Sequence, residues 1–400
     1  MVKVAVLGYG TVGSGIVEVI KTNQQVVNQK TGDELDVKYV LDLRDFPGDP
    51  YENLVVHDVE VILSDPEIKV IAEAMGGVEP AYTFTKRALE SGKSVCTSNK
   101  ELVAKHGPEL LALAKANQCN YMFEASVGGG IPIIRPINSS LTPEQIDGIT
   151  GILNGTTNYI LTKMEREGSD FDTVLKEAQE KGYAERNPEA DVEGYDACRK
   201  IAILSSLGYG KNVNFEQIYT EGITKITTND FAYAKTAGYT IKLLAMSKKV
   251  DGKYFASVTP AMIGRDNPLY SVSDVFNAIL VHGNTLGNTM YYGAGAGKLP
   301  TASAVVSDVI ECARNPQNTL PVFWDSEDLS LSSIDESVKR FFVRVADADL
   351  EQAKAVFGQI EMIDGGIAGE KGFITDVMSE KEFKEKSEKV AVISRIRVEA

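Results

Sequence analysis

The chain has 400 residues, 43% hydrophobic and 24% charged, the profile of a soluble globular protein long enough for two or three domains. Its formal net charge of −15 argues against nucleic acid or an anionic membrane as partner, because both would repel it. Four scattered cysteines (Cys96, Cys119, Cys198, Cys312) without a C-x-x-C pair, and three distant histidines (His57, His106, His282), give neither a disulfide framework nor a zinc site. The first apolar run starts at Val2 and no stretch approaches a membrane span, so a cytoplasmic protein is expected.

Residues 2–7 read as a strand running into Gly8-Tyr9-Gly10-Thr11-Val12-Gly13 and then an apolar-periodic helix through Ile16, Val19 and Ile20. Strand, glycine turn and helix are the context that a G-x-G-x-x-G dinucleotide fingerprint requires. Gly8 makes the turn, Gly10 admits a pyrophosphate to the backbone, and Gly13 lets helix and strand pack closely; the helix N-terminus supplies N–H groups to the phosphates. The second strand, 37–41, ends in Asp42-Leu43-Arg44-Asp45. An acid there suits the ribose hydroxyls of NAD and an arginine the 2′-phosphate of NADP, so both cofactors stay open. A strand over 70–75, a helix over 81–90, a strand over 94–96, a helix capped by Thr97-Ser98-Asn99-Lys100 and a last strand near Tyr121 continue the β-α alternation. That alternation predicts a Rossmann-type doubly wound parallel sheet, with its ligand off the carboxyl ends of the strands. Lys100, at one such end, would face the cofactor; the plain alternative is a solvated first-turn lysine.

Residues 125–132, with three consecutive glycines, read as a flexible joint into a second domain. Two helices are expected over 157–167 and 171–181, a hairpin over 240–262 around Asp251-Gly252, and a second strand pair over 278–292. These make an α+β domain with an antiparallel sheet, one face of which could serve a subunit interface. The loop Gly293–Lys298 admits close backbone approach, and a helix from 300 returns to the first domain. Beyond a linker at 326–337 the pattern strand, helix, strand, helix, strand marks a separate small module. The expected division is 1–130 with the returning helix 300–320, then 131–299, then 338–400.

The stretch Gly182 to Lys200 holds the densest chemistry. Asp196 and Lys200 stand four apart after Gly194, on one face of a helix entering a core, with Glu185 and Asp191 arriving from a loop. Such a cluster could position a small amine or hydroxyl substrate. The plain alternative is an exposed ion pair, contributing only about 0.3–0.5 kcal/mol.

With these segments in hand the chain resembles homoserine dehydrogenases that carry a C-terminal ACT domain. The carriers are the Gly8–Gly13 fingerprint, Thr97–Lys100, the run from Glu124 to Pro132, Leu153-Asn154-Gly155-Thr156-Thr157-Asn158, the Gly182–Lys200 stretch and Gly293–Gly297. The resemblance implies reversible NAD(P)-linked reduction of L-aspartate 4-semialdehyde to L-homoserine, on the route to threonine and methionine, by a homodimer or homotetramer. It implies Lys200 as proton donor and acceptor, Lys100 in the cofactor and substrate site, and Glu185 and Asp196 as substrate ligands. It implies cofactor contacts from Gly8, Gly10, Thr11, Val12, Gly13, Arg44, Ser98, Lys100, Gly182 and Gly297. A structural sodium ion is implied at Glu124 with Val127, Gly129 and Ile131, and a βαββαβ ACT-like domain at the C-terminus. The proline-glycine turn usual in ACT domains is replaced here by Ala346-Asp347-Ala348-Asp349, which leaves effector binding unread.

Hydride addition to an aldehyde builds charge on oxygen and needs a proton donor. The sequence has no zinc-ligand set, and Tyr195 with Arg199 is not the tyrosine–lysine pair of some reductases, so lysine is the donor left over. Two other readings compete. An aspartate-semialdehyde dehydrogenase would need a nucleophilic cysteine partnered by histidine, and a non-catalytic NAD(P)-binding regulator would have no use for the Glu185, Asp196 and Lys200 cluster.

Overall fold

The computed structural model describes residues 1–399. Its contacts divide the chain into two compact units: residues 1–143, 203–214 and 293–329, and residues 144–202, 215–292 and 330–400. Residues 338–400 thus fall with the second unit.

The first unit begins with β1 (Val2–Leu7), α1 (Thr11–Thr22), α2 (Gln24–Thr31), β2 (Leu35–Leu41), β3 (Val55–Val56), α3 (Val59–Leu63), β4 (Ile68–Glu73), α4 (Ala81–Glu90), β5 (Ser94–Thr97), α5 (Lys100–Ala116) and β6 (Tyr121–Met122). Its six strands are all parallel, in the order β3-β2-β1-β4-β5-β6, the doubly wound arrangement expected. Val4, Val6, Ile16, Ile20, Val37 and Val305 fill its core. The strand expected over 70–75 ends at Glu73, because the Met75 N–H turns back to the Glu73 carboxylate at 2.7 Å.

The chain continues with β7 (Ile146–Ile152), α6 (Gly155–Glu167), α7 (Phe171–Glu180), α8 (Glu189–Val192), α9 (Tyr195–Tyr209), β8 (Tyr219–Thr220), α10 (Thr228–Thr236), β9 (Tyr239–Val250), β10 (Lys253–Gly264), β11 (Phe276–Gly283) and β12 (Gly287–Ala294), which fall with the second unit except for residues 203–209 of α9 and the last two of β12. β9 and β10 pair antiparallel around Asp251 and Gly252, both at positive φ (50° and 78°), as an Asp-Gly hairpin turn requires. β7 went unread in the sequence, since Gly148 and Gly151 interrupt its apolar pattern. A Cβ on Gly151 would lie 2.6 Å from the Leu153 side chain and 3.3 Å from the Ala278 carbonyl oxygen, so that side chain would have to shift.

Helix α11 (Lys298–Arg314) belongs to the first unit, where it packs on α1. A Cβ on Gly15 would come within 2.9 Å of the Lys298 carbonyl oxygen, so glycine sets the closeness of the two helices. Residues 125–132, expected to be a flexible joint, are mostly buried instead. Gly129 sits against the backbone of Gly295, where a Cβ would come within 2.5 Å of its carbonyl oxygen.

The remaining elements are β13 (Val338–Ala346), α12 (Leu350–Phe357), β14 (Ile360–Ile363), β15 (Glu370–Thr375), β16 (Met378–Ser379), α13 (Glu380–Ser387) and β17 (Val392–Glu399). Apart from the two-residue β16, which pairs with β13, they follow the βαββαβ pattern that the resemblance implied, with strand order β17-β13-β15-β14. These strands do not stand alone, however. β17 pairs parallel with β10, Ala261 opposite Arg397, and one eleven-stranded sheet results. The buried Arg397 guanidinium near this seam is answered by Glu380 and by Glu221 at 2.9 Å, so its charge is compensated away from water. Among the described residues no helix is long and apolar enough to cross a membrane.

Candidate active site

The fingerprint glycines each answer a distance. Gly8 takes φ +90°, and a Cβ there would meet Ala74 O at 3.0 Å; a Cβ on Gly13 would lie 1.8 Å from Gly8 O. Gly10 has nothing within 4 Å of its missing Cβ and caps α1 with no side chain, so the N–H groups of Thr11, Val12 and Gly13 head an open helix terminus.

Beside Gly8, a cavity of about 420 Å³ opens at the carboxyl end of β2, lined by Asp42, Leu43, Arg44, His57, Met75 and Phe84 among others. The Asp42 carboxylate accepts N–H bonds from Tyr9 (2.9 Å) and Arg44 (3.0 Å) and is gripped by the Arg44 guanidinium through two further contacts of 3.0 and 3.1 Å. That guanidinium holds the Asp42 carboxyl well below the usual carboxylate range. His57 leans its Nδ1 on the Asp42 carbonyl at 2.7 Å, and this raises its pKa above the ordinary imidazole value.

In the second unit the expected pair closes. Lys200 Nζ donates to Asp196 Oδ2 and to the Leu153 carbonyl, both at 2.7 Å, and the two side chains are almost fully buried. The bland reading, an exposed helix ion pair, does not hold. Asn154 completes the cluster: its Nδ2 donates to Asp196 Oδ2 (2.8 Å) and Asp191 Oδ1 (2.7 Å), while its Oδ1 accepts the Thr157 N–H as the cap of α6. Sequence reasoning gave neither Asn154 nor Leu153 a role, although both lie in the run 153–158 that carried the resemblance. Glu185 stands exposed on the loop between α7 and α8, and the structure brings its carboxylate into no direct contact with Lys200. Its carbonyl accepts from Gln179. Gly182, at φ +74°, ends α7 in the same exposed loop.

Lys100 is the first residue of α5, half-buried, with Asn99 as the helix cap and Ser98 bonded through its N–H to the Glu73 carbonyl. Gly297, at φ +123°, caps α11. The Glu124 carboxylate is already occupied: Oε1 accepts the N–H groups of Ile133 and Ile134, and Oε2 that of Arg135. Its charge therefore orders the following turn. Val127, Gly129 and Ile131 are buried, and no hydrogen bond among the described residues reaches their carbonyl oxygens. Among the described residues no group of three or more His, Cys, Asp or Glu could hold a metal.

The four thiols are free and buried. Burial raises those of Cys96 and Cys198 and pushes that of Cys119 up to about 11, opposite to what a nucleophilic thiolate needs. Covalent thioester chemistry is thereby disfavoured. What remains is a glycine loop of the dinucleotide-binding kind on a parallel sheet and, in the second unit, a buried lysine paired with an aspartate, an arrangement consistent with a nicotinamide-dependent oxidoreductase.

Comparison with known proteins narrows that class. The family models "Homoserine dehydrogenase, NAD binding domain" and "Homoserine dehydrogenase" match residues 8–124 and 132–310. The chain is 44% identical to the homoserine dehydrogenase of Bacillus subtilis over 318 residues, 78% of this chain and 73% of that one. It is 36% identical to that of Pseudomonas aeruginosa over 401 residues, 98% and 91% of the two. A solved homoserine dehydrogenase from Thiobacillus denitrificans superposes with a TM-score of 0.91 at 36% identity, covering 100% of this chain and 98% of that one. A hyperthermophilic archaeal homoserine dehydrogenase in complex with NADPH superposes at 0.68 with 29% identity, covering 80% and 99%. The chain belongs to the homoserine dehydrogenase family and is an NAD(P)-dependent oxidoreductase.

Proposed function

We propose that Lys200 carries the proton in the family reaction, the reversible reduction of L-aspartate 4-semialdehyde to L-homoserine. The observation that carries this reading is the buried Nζ held at 2.7 Å by both Leu153 and Asp196. The nicotinamide, when bound, supplies the hydride for the aldehyde carbon or takes it from the carbinol carbon. As charge builds on the aldehyde oxygen, the Lys200 ammonium neutralises it and delivers a proton; in the other direction the amine accepts the hydroxyl proton. Asp196 favours the charged ammonium by Coulomb attraction and hydrogen bonding, and burial opposes it. Asn154 fixes Asp196 and so the direction in which the lysine is held.

Glu185, exposed and anionic, suits the α-ammonium of the substrate, with Asp196 as a second ligand. Gly8, Gly10, Thr11, Val12 and Gly13 suit the pyrophosphate, and Ser98, Lys100, Gly182 and Gly297 the rest of the dinucleotide. NADPH is the preferred cofactor in this reading. Arg44 already compensates the Asp42 charge and lines the cavity, where its guanidinium N–H groups suit a 2′-phosphate better than a hydroxyl. A sodium ion held by the carbonyls of Val127, Gly129 and Ile131 would stiffen residues 124–131. Exposed Phe276, Met290 and Tyr292 on β11 and β12 suit the interface of a homodimer. The protein would act in the cytoplasm.

Lys200→Ala lowers kcat by about 10²–10⁴-fold in an NADPH-plus-semialdehyde absorbance assay, with the dinucleotide Kd nearly unchanged; near-normal turnover removes Lys200 from the role. Arg44→Ala raises KM for NADPH about tenfold or more and leaves KM for NADH almost alone, whereas equal changes in both argue against a 2′-phosphate contact. Light scattering and thermal melting in NaCl and in choline chloride are expected to give a dimer mass in both salts and a higher Tm in sodium. A monomer, or equal Tm values, contradicts the corresponding half of the reading.

A further inference from the structure

Glu73 ends β4 in the middle of the parallel sheet, opposite Leu7 of β1 and Thr97 of β5, and none of its surface reaches solvent. A buried carboxylate without a cationic partner is costly, so its contacts matter. Its Oε1 accepts the Met75 N–H at 2.7 Å and its Oε2 contacts the Thr97 hydroxyl, with help from the Asn99 side chain. Thr97 Oγ1 in turn accepts the Asn99 N–H at 2.9 Å, so the threonine proton is left to point at Glu73. Asn99 Nδ2 donates to Gly77 O at 2.6 Å, and its Oδ1 caps α5 through the Leu102 N–H at 3.1 Å. Residues 74–77 therefore hang between Glu73 and Asn99. They press on the fingerprint, since a Cβ on Gly8 would come within 3.1 Å of Met75 Cγ.

We propose that Glu73, as a carboxylate, is a positioning residue for the dinucleotide: it sets residues 74–77 against Gly8 and fixes the start of α5 beside Lys100. This inference rests on the NAD(P)-binding reading of the fingerprint. A carboxylate satisfies both the Met75 N–H and the Thr97 O–H. Once protonated, the same site holds one hydrogen too many, and either the carboxyl or the threonine proton loses its acceptor. Burial pushes the Glu73 carboxyl up to about 7, against the lowering effect of its hydrogen bonds, so this change falls within the neutral range. Of the titratable groups on the elements packed around it, the buried Tyr121 phenol on β6 feels the Glu73 charge, Lys100 and Glu101 stand in the first turn of α5, Cys96 lies on β5, and α11, which packs on β4, carries the buried Asp308. β1 and β5 present Leu7 and Thr97.

The linkage has a definite sign. A carboxyl raised in the folded state favours folding most below the unfolded pKa, and that contribution is lost as pH rises through about 7. Cofactor affinity runs the other way, weakening as pH falls through the same range. Fluorescence titration with NADPH across pH 6–8.5 tests this on wild type, Glu73→Gln and Thr97→Val. Comparing variant with wild type at each pH cancels any titration of the 2′-phosphate.

Glu73→Gln, which places a donor against Thr97 as the protonated acid does, is expected to bind NADPH about three- to tenfold more weakly than wild type at pH 8, with that ratio closing towards one at pH 6. Its Tm at pH 8 stays at or above the wild-type value, which a merely structural role would not produce. Thr97→Val, which keeps the carboxylate and removes a donor, moves the acid limb of NADPH affinity to higher pH. A variant-to-wild-type ratio that does not change with pH overturns the proposal, as does an unmoved limb in Thr97→Val should Glu73→Gln fail to fold. Failure of wild type itself to bind NADPH at pH 8 strikes the dinucleotide reading instead.

Discussion

The structure depends on meeting one buried lysine, Lys200, with polar partners away from water. Lys200 is buried against Asp196, one helical turn earlier, and the Leu153 carbonyl. Removing one partner from such a pair costs about 3–5 kcal/mol, far more than the worth of an exposed pair. That penalty constrains the surroundings. α9 must present residues 196 and 200 on its inner face, and the chain leaving β7 must turn its carbonyl at Leu153 towards them. Asn154 joins these demands in one side chain, since the amide that caps α6 also holds Asp191 and Asp196. Secondary structure and site chemistry share the same atoms here.

The other half of the chemistry rests on backbone geometry. The approach of α1 to β1 is set by Gly13, whose side chain would collide with the Gly8 carbonyl, the approach of residues 74–75 to the turn by Gly8, and the approach of α11 to α1 by Gly15. At the strand ends two carboxylates are used in different ways. Asp42 is exposed to a guanidinium and stays charged, whereas Glu73 is sealed among neutral donors and is pushed towards neutrality. In the readings proposed above, the first bears on which dinucleotide enters, and the second on how the loop beside it is held.

Local signals were legible in the sequence and distant ones were not. The glycine fingerprint, the alternation of the first unit, the Asp251-Gly252 hairpin and the Asp196–Lys200 spacing are each written within a few residues. Leu153 and Asn154 reach Lys200 and Asp196 across 47 and 42 positions, and no short-range pattern announces such a contact. β7 was hidden by Gly148 and Gly151, which weaken a strand pattern although Gly151 lies close against the Leu153 side chain. Glu73 looked like one more residue of an apolar run, and the turn at Met75 that ends β4 is made by its side chain. The joining of β10 to β17 links strands more than a hundred residues apart, so the C-terminal strands read as a free module. In residues 125–132 the glycines suggested freedom, yet their lack of side chains serves close backbone packing against residues 293–297.

The most direct test of the account is a crystal structure of the ternary complex with L-homoserine and an oxidised nicotinamide cofactor. Lys200 Nζ should lie within about 3 Å of the substrate hydroxyl oxygen while keeping its bond to Asp196. A substrate hydroxyl bound to some other proton carrier, with Lys200 still turned wholly to Leu153 and Asp196, would contradict it.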